Sequence, residues 1–174
     1  AYIEAFNRAD ADAVLAAMAD DGLMYVDPGM VWLDTGYIEA EDKAAVRNHL
    51  EWLFGKGTTM EILECAGEGE KWRCAAATRD DCLGVIPGLE EWPYDLTVKV
   101  SDNKIQVMLF ATRSLSTPQG QVEAVVVNEE GQKLAQWVQA NRPGDMDKVM
   151  SKDYSRAVGE LTSQVCKAYI AARQ

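Results

Sequence analysis

The start of the chain changes from helical to extended patterning in an order that limits its possible folds. Residues 2–21 have the apolar spacing of two short helices, interrupted by the polar elbow Asn7-Arg8-Ala9-Asp10. Asp10 or Asp12 can cap the second helix, because a carboxylate accepts hydrogen bonds from the unpaired N–H groups of a first turn. An apolar strand at residues 23–26 follows and ends at Asp27-Pro28. The chain therefore begins with a helix–elbow–helix unit that leads directly into a strand.

The apolar period changes after residue 55. Residues 39–54 predict a third helix that buries Val46, Leu50 and Leu53 and ends at Gly55. Beyond it, apolar and polar residues alternate, as in strands with one buried face. These strand candidates are residues 58–65, 72–79, 92–100 and 104–112, joined in pairs by turn sequences. Helices followed by an antiparallel meander predict an α+β domain with its helices packed on one face of a sheet.

The remainder of the chain returns to helical spacing. The sequence Thr117-Pro118-Gln119-Gly120 is a natural boundary. One apolar stripe of a final helix comprises Tyr154, Val158, Leu161, Val165 and Tyr169. We therefore expect a domain over residues 1–114 and a C-terminal helical extension over residues 115–174.

Charge and composition exclude several classes of function. A net charge of −11 argues against a nucleic-acid partner, which would require clustered Lys and Arg. No apolar run is long enough to cross a bilayer. Phosphate-binding loops and metal-ligand clusters are also absent from the sequence, so we expect no cofactor and no metal. The first residue is Ala1 rather than Met, so a leader peptide is neither seen nor excluded, and a cytoplasmic location is expected by default.

The four cysteines lack the spacing of a zinc site. Cys65 and Cys74 lie symmetrically about the turn at residues 68–71, so in a hairpin they would face each other across two strands. In an oxidising compartment they could form a bridge, and otherwise we expect buried thiols. The single histidine, His49, lies at the margin of the third helix's buried stripe, and we interpret it as structural.

The order helix–elbow–helix–strand–Asp27-Pro28 resembles the opening of the nuclear transport factor 2-like (NTF2-like) superfamily. This superfamily includes ketosteroid isomerases and SnoaL-like polyketide cyclases. The resemblance covers about residues 1–114 and implies an NTF2-like cone, in which helices and a curved antiparallel sheet enclose an apolar pocket. We also expect a homodimer through the exposed sheet face, where the small side chains of Ala75, Ala76 and Ala77 would permit close approach.

The same resemblance implies roles for individual residues. In ketosteroid isomerases a first-helix tyrosine donates a hydrogen bond to the developing oxyanion, and an aspartate at the end of the first strand transfers the proton. Tyr2 and Asp27 match these positions. Independently, a carboxylate that follows Tyr25 on a buried face would be desolvated, and desolvation raises its pKa toward that of a useful base. The alternatives are a turn role for Asp27 and a buried structural ring for Tyr2.

A third acidic residue supports the tyrosine in those isomerases, and Asp95 is the acidic candidate on the later strand here. Strand alternation places Asp95 with Thr97 and Lys99 on a solvated face, unless a bulge at Pro93 changes its direction. The match to the isomerases is therefore incomplete at this position.

A set of large side chains could line a pocket for a flat hydrophobic ligand, although each could equally belong to the core. These residues are Trp32, Trp92, Tyr94, Met108 and Phe110. We accordingly predict a cofactor-independent isomerase, cyclase or dehydratase that acts on a small hydrophobic carbonyl or polyketide-like compound. The alternative is a non-catalytic module of the same fold that binds a hydrophobic ligand or assembles with a protein partner.

Overall fold

A curved six-stranded sheet organises the protein in a computed structural model that describes residues 1–27, 38–112, 118–151 and 154–174. The strands are β1 (Met24–Asp27), β2 (Ile38–Ala40), β3 (Thr59–Glu68), β4 (Lys71–Arg79), β5 (Trp92–Ser101) and β6 (Lys104–Thr112). The α-helices of the described residues are α1 (Tyr2–Asn7), α2 (Ala11–Ala16), α3 (Lys43–Gly55), α4 (Pro118–Asn141), α5 (Pro143–Val149) and α6 (Arg156–Ala172), and a short 3-10 helix spans Leu83–Val85. This architecture confirms the predicted α+β, NTF2-like fold.

The strand order is β2-β1-β6-β5-β4-β3. The four long strands β3 to β6 form the predicted antiparallel meander, with β3 at the edge of the sheet. One pairing departs from the antiparallel prediction, because β1 lies parallel to β6. Alternation of apolar residues reveals which face of a strand is buried but not its partner or direction, so this pairing could not be read from the pattern.

Local capping determines where the early helices begin. The Asp10 side chain accepts a hydrogen bond from the Ala13 backbone N–H at 2.9 Å, as predicted for the cap of α2. Asp42 caps α3 in the same way, through the backbone N–H of Ala45 at 2.8 Å. The predicted start of this helix at residue 39 is wrong, because Glu39 belongs to β2 and pairs with β1.

The core lies between the helices and the inner face of the sheet. On β5 and β6, alternation directs Tyr94, Leu96, Met108 and Phe110 to this face, where all are buried. Ala76 of β4 is opposite Tyr94 and shares the inner face. The prediction that it contributes to an exposed dimer surface therefore fails for Ala76, while the homodimer itself stays a prediction.

The final helix packs directly on α3. Their backbones approach so closely that a Cβ atom added to Gly159 would lie 2.2 Å from the carbonyl oxygen of Trp52. One added to Gly55 would lie 2.3 Å from the carbonyl oxygen of Arg156. Glycine is therefore required on both helices, and it lets α6 of the C-terminal extension pack closely against α3. None of the described helices is both long enough and apolar enough to cross a membrane.

Two disulfides connect the four cysteines, so the expected buried thiols are wrong. Cys65 and Cys74 are directly opposite each other on β3 and β4, as the hairpin interpretation allowed. Cys82 bonds to Cys166 across a sequence separation of 84 residues. This second bond attaches α6 to the loop after β4, and sequence spacing alone gave no indication of it.

Acid should weaken the attachment of α6 at Asp81. This carboxylate accepts a hydrogen bond from Ser163 Oγ at 2.6 Å and pairs with Lys167 Nζ at 2.8 Å. Partial burial acts to raise the pKa of Asp81, but the hydrogen bonds from Lys167 and Ser163 lower it below its ordinary value. A lowered folded-state pKa adds stability above the unfolded-state pKa, and this stability is lost as the pH falls through the folded-state value.

We therefore expect Asp81→Asn to lower the free energy of unfolding by about 1 kcal/mol near pH 7, a small value because the pair is partly exposed to water. The difference between variant and wild type should shrink as the pH falls below the unfolded-state pKa of an aspartate, about 3.9, and through the lower folded-state value. Urea unfolding of the wild type and of Asp81→Asn at a series of pH values measures this difference in the free energy of unfolding. An equal difference at pH 7 and pH 3 would show that Asp81 stabilises the protein through something other than its charge.

Candidate functional site

Asp27 and His49 form a buried pair beneath the helices. Asp27 ends β1 on the same inner face as Leu23 and Tyr25 and is 6% exposed. His49 lies on the buried stripe of α3, and its Nε2 is 3.0 Å from Asp27 Oδ2. A carboxylate buried this deeply requires hydrogen-bond partners, and the imidazole supplies one of them.

Three buried tyrosines surround the Asp27 carboxylate. Burial raises the pKa of Tyr2 well above its ordinary value, and the charge of Asp27 raises it further. The same two causes, in the same order, raise the pKa of Tyr25 and of Tyr94. All three hydroxyls therefore stay protonated and can act only as hydrogen-bond donors or neutral acceptors. The Tyr2 hydroxyl is buried without a hydrogen-bond partner among the described residues.

A cavity of about 20 Å³ lies beside Asp27. This volume accommodates about one water molecule, so a substrate-sized ligand requires the walls to move. Its lining combines apolar rings with a few polar groups, namely Phe6, Asp27, Trp52, Leu53, Lys56, Thr58, Met60, Thr78, Asp80, Tyr94 and Phe110. The side chains around this small cavity form a mixed apolar and polar lining, and the apolar ligand pocket itself stays a prediction.

A second buried ion pair lines the same cavity. Lys56 Nζ lies 2.8 Å from Asp80 Oδ2, and both side chains are almost completely buried. The charge of Asp80 also raises the pKa of Tyr94, after the effects of burial and of Asp27. Tyr94 thus lies within electrostatic reach of both carboxylates.

The C-terminal extension packs against His49 of the Asp27–His49 pair. The ring of Tyr154, just before α6, lies 5.7 Å from the His49 ring and 5.8 Å from the Trp52 ring, measured between centroids. Both contacts are edge-on, the arrangement that aromatic quadrupoles favour. This segment therefore isolates His49 from solvent.

The structure brings together some of the predicted site residues. Tyr2 and Asp27 lie close enough to interact electrostatically, and Tyr94 and Phe110 line the cavity. Trp92 and Met108 are buried on the same sheet face, but they do not line the cavity.

Two predicted residues are not part of this cluster. Asp95 pairs in register with Ala75 and is exposed on the outer face of the sheet, so the bulge that would turn it inward is not found at Pro93. Trp32 lies outside the described residues.

Sequence reasoning missed the functional setting of His49, Lys56 and Asp80. His49 follows Val46 by three residues and precedes Leu53 by four, so helical spacing alone places it on the buried stripe. Lys56 follows the end of α3 and carries no comparable signal. Among the described residues, no group of three or more His, Cys, Asp or Glu side chains is arranged to hold a metal ion.

Comparison with known proteins agrees with this architecture. Residues 1–105 match the SnoaL-like domain family. No curated protein matches the chain significantly. Similar solved structures include a candidate polyketide cyclase from Sinorhizobium meliloti, with 18% identity and a TM-score of 0.50 over 63% of this chain and 89% of that one.

Two further structures have comparable similarity. TerC, crystallised with polyporic acid, has 14% identity and a TM-score of 0.51 over 67% of this chain and 88% of its own. SalBIII, an epoxide hydrolase/cyclase-like enzyme of pyran ring formation in the polyether salinomycin, has 18% identity and a TM-score of 0.50 over 63% of this chain and 84% of its own. At these identities the likeness shows a shared fold, and function must be argued from the site.

Proposed function

Because the chain belongs to the SnoaL-like domain family, we propose that it is a cofactor-independent enzyme of the isomerase, cyclase or dehydratase type. Its substrate is a small hydrophobic carbonyl or polyketide-like compound. The observation that carries this proposal is the buried Asp27 carboxylate, which lines the cavity and has His49 behind it. The polyketide cyclase and cyclase-like names of similar structures agree with this class of reaction.

Asp27 is the proposed general base. It lines the cavity whereas His49 does not, so His49 is a positioning residue that orients the carboxylate through its ring nitrogen. Asp27 takes the proton from the carbon next to a carbonyl group, and the electron pair moves onto the carbonyl oxygen as an enolate. The protonated Asp27 then returns the proton at another carbon. Alternatively, the enolate carbon attacks a second carbonyl group, whose π electrons move onto its oxygen, and this alkoxide takes the proton from Asp27. Neither outcome requires a cofactor.

The tyrosines assist by hydrogen bonding. Tyr2 and Tyr94 have pKa values raised by burial first and by the Asp27 charge second, so they remain protonated donors. A donor that meets a developing enolate oxygen in a water-poor site stabilises the transition state more than the ground state. Tyr94 lines the cavity and Tyr2 does not. Tyr2 is the proposed oxyanion donor of the open site, because it can meet a substrate oxygen only after the walls have moved to admit the ligand.

A non-catalytic ligand-binding module is the second candidate. The small volume of the cavity supports it, since a site that must open to admit a ligand can serve storage or sensing as well as turnover. The assembly hypothesis has less support. An exposed apolar stripe on α6 would favour it, but Val158 and Val165 of that stripe are buried.

Hydrogen–deuterium exchange at carbon tests the proposal and does not require the reaction product to be identified. The protein is incubated in D₂O with a panel of small cyclic ketones, β,γ-unsaturated ketones and 1,3-diketones, and NMR follows the loss of the α-proton signals. We expect the wild type to accelerate exchange of at least one class well above a buffer matched in carboxylate concentration. Tight binding of panel members without accelerated exchange would favour the binding module instead.

A further inference from the structure

Lys56 carries a buried charge that the proposed proton transfer does not use. The residue is 3% exposed, and its Nζ lies 4.3 Å from the centroid of the Trp52 ring. Burying an ion pair costs several kcal/mol per charge, and apolar residues of similar volume often stabilise a protein at least as well. A buried lysine on a cavity wall is therefore better explained by what it can bind than by stability.

Asp80 holds this lysine in a fixed position. One carboxylate oxygen of Asp80 accepts a hydrogen bond from the backbone N–H of Cys82 at 2.8 Å, which leaves the other oxygen directed at Lys56 Nζ. The Lys56 carbonyl oxygen accepts a hydrogen bond from the backbone N–H of Asp81. The backbone and the side chain of Lys56 are both anchored to the same loop, so the ammonium is pre-organised.

Lys56 and Thr58 have hydrogen-bonding groups that the described residues leave unused on the side of the cavity where they lie. An ammonium group has three donors, and within the described part of the chain Asp80 is the one hydrogen-bond acceptor found for it. Thr58 Oγ1 is buried and lacks a hydrogen-bond partner in that same part of the chain. Lys56 and Thr58 both line the cavity that contains Asp27. A polar group buried without a partner is costly, and one ligand oxygen could accept hydrogen bonds from both residues.

We propose that Lys56 and Thr58, with Asp80 as a positioning residue, form a subsite for the oxyanion of an enolate or phenolate. This inference rests on the proposed function, because it assigns the substrate class of the same cavity, namely compounds such as 1,3-dicarbonyls and phenols that ionise at oxygen. Asp27 receives the proton at one wall of the cavity, and the negative charge left on oxygen is stabilised by Lys56 at another.

Binding of 4-nitrophenol tests the subsite, because its absorbance distinguishes the phenolate from the neutral phenol. We expect the wild type to bind the phenolate form in preference to 4-nitroanisole, a neutral analogue that cannot ionise. Lys56→Met should weaken phenolate binding by about 10- to 100-fold, the usual effect of losing a charged hydrogen bond. It should leave binding of 4-nitroanisole unchanged. Lys71→Met is the matched control, because Lys71 is exposed on the β3–β4 hairpin.

Thr58→Val provides a second variant that preserves volume and the ion pair, in case Lys56→Met does not fold. It should weaken phenolate binding by about 3- to 10-fold, as expected for a neutral hydrogen bond. Failure of the wild type to prefer the phenolate would overturn the subsite. So would a folded Lys56→Met or Thr58→Val protein that keeps wild-type phenolate affinity.

Asp27→Asn separates this inference from the proposed function. The variant should bind 4-nitrophenolate at least as tightly as the wild type, because it removes a negative charge from the cavity. Phenolate binding that depends on Lys56, without any carbon-acid exchange, would support the subsite and reject the enzyme. Exchange that depends on Asp27, with phenolate binding indifferent to Lys56 and Thr58, would reject only the subsite.

Discussion

Replacement of Asp27 by asparagine should lower the rate of carbon-acid exchange by about two to four orders of magnitude, the usual share of general acid–base catalysis. Asparagine keeps the shape of the side chain but cannot accept the substrate proton. Its amide oxygen can still accept a hydrogen bond from His49 Nε2, which lies 3.0 Å from the present carboxylate. Folding and ligand binding should therefore survive. Exchange rates of folded wild type and variant, measured by NMR under the same conditions, provide the comparison.

Two other variants calibrate this result. Tyr2→Phe should slow exchange by about two to three orders of magnitude if its hydroxyl supplies one oxyanion hydrogen bond. Asp95→Asn is the matched control, because it makes the same chemical change on the outer face of the sheet and should leave the rate unaltered. If Asp27→Asn lowers the melting temperature while the folded variant still exchanges at the wild-type rate, Asp27 is a structural turn residue and not the base.

Removal of the Cys82–Cys166 disulfide should lower the free energy of unfolding by about 4.5 kcal/mol, because the bond closes a long loop in the unfolded chain. The sequence separation is 84 residues, whereas that of Cys65–Cys74 is only 9. Loop closure predicts a smaller loss of about 2.5 kcal/mol for the shorter bond. Denaturant unfolding of the two double-serine variants measures both values.

The comparison between the two bonds also tests the docking of α6. Cys82 and Cys166 are both buried, so the Cys82→Ser/Cys166→Ser variant additionally places two hydroxyl groups in the core. The order of the two losses is therefore the important result. A larger loss of stability on removal of Cys65–Cys74 than on removal of Cys82–Cys166 would contradict the prediction. It would show that the Cys82–Cys166 disulfide contributes little to holding α6 in the native state.

Patterns within one segment of the chain predicted the parts of the site that depend on local geometry. Alternation through Leu23 and Tyr25 places Asp27 on the buried face, and helical spacing buries His49. The partners of these groups come from other segments. His49 of α3 contacts Asp27 on β1, and Lys56 contacts Asp80 in the loop after β4. One-dimensional periodicity does not specify which buried polar groups will meet, so these two pairs required the structure.

Strand pairing explains the remaining differences between the predicted and observed positions of residues in the sheet. The position of Asp95 on the outer face followed from simple alternation, and only analogy with an isomerase favoured an inward direction. The strand β2 is three residues long, too short for a period to be recognised, so Glu39 was assigned to the neighbouring helix. Short elements depend on the neighbours with which they pair, and those neighbours are set by the whole fold.

The contact of the C-terminal segment with α3 has a consequence for folding kinetics. Arg156 pairs with Glu51 across 105 residues of sequence, and the ring of Tyr154 covers His49 in the same region. Contacts between distant residues form slowly, because the entropy of closing the loop is lost before the contact is gained. The meander of β3 to β6 can therefore assemble while the Asp27–His49 pair still faces water. We therefore expect the cavity to become sheltered in a late step, when the last helix docks on α3.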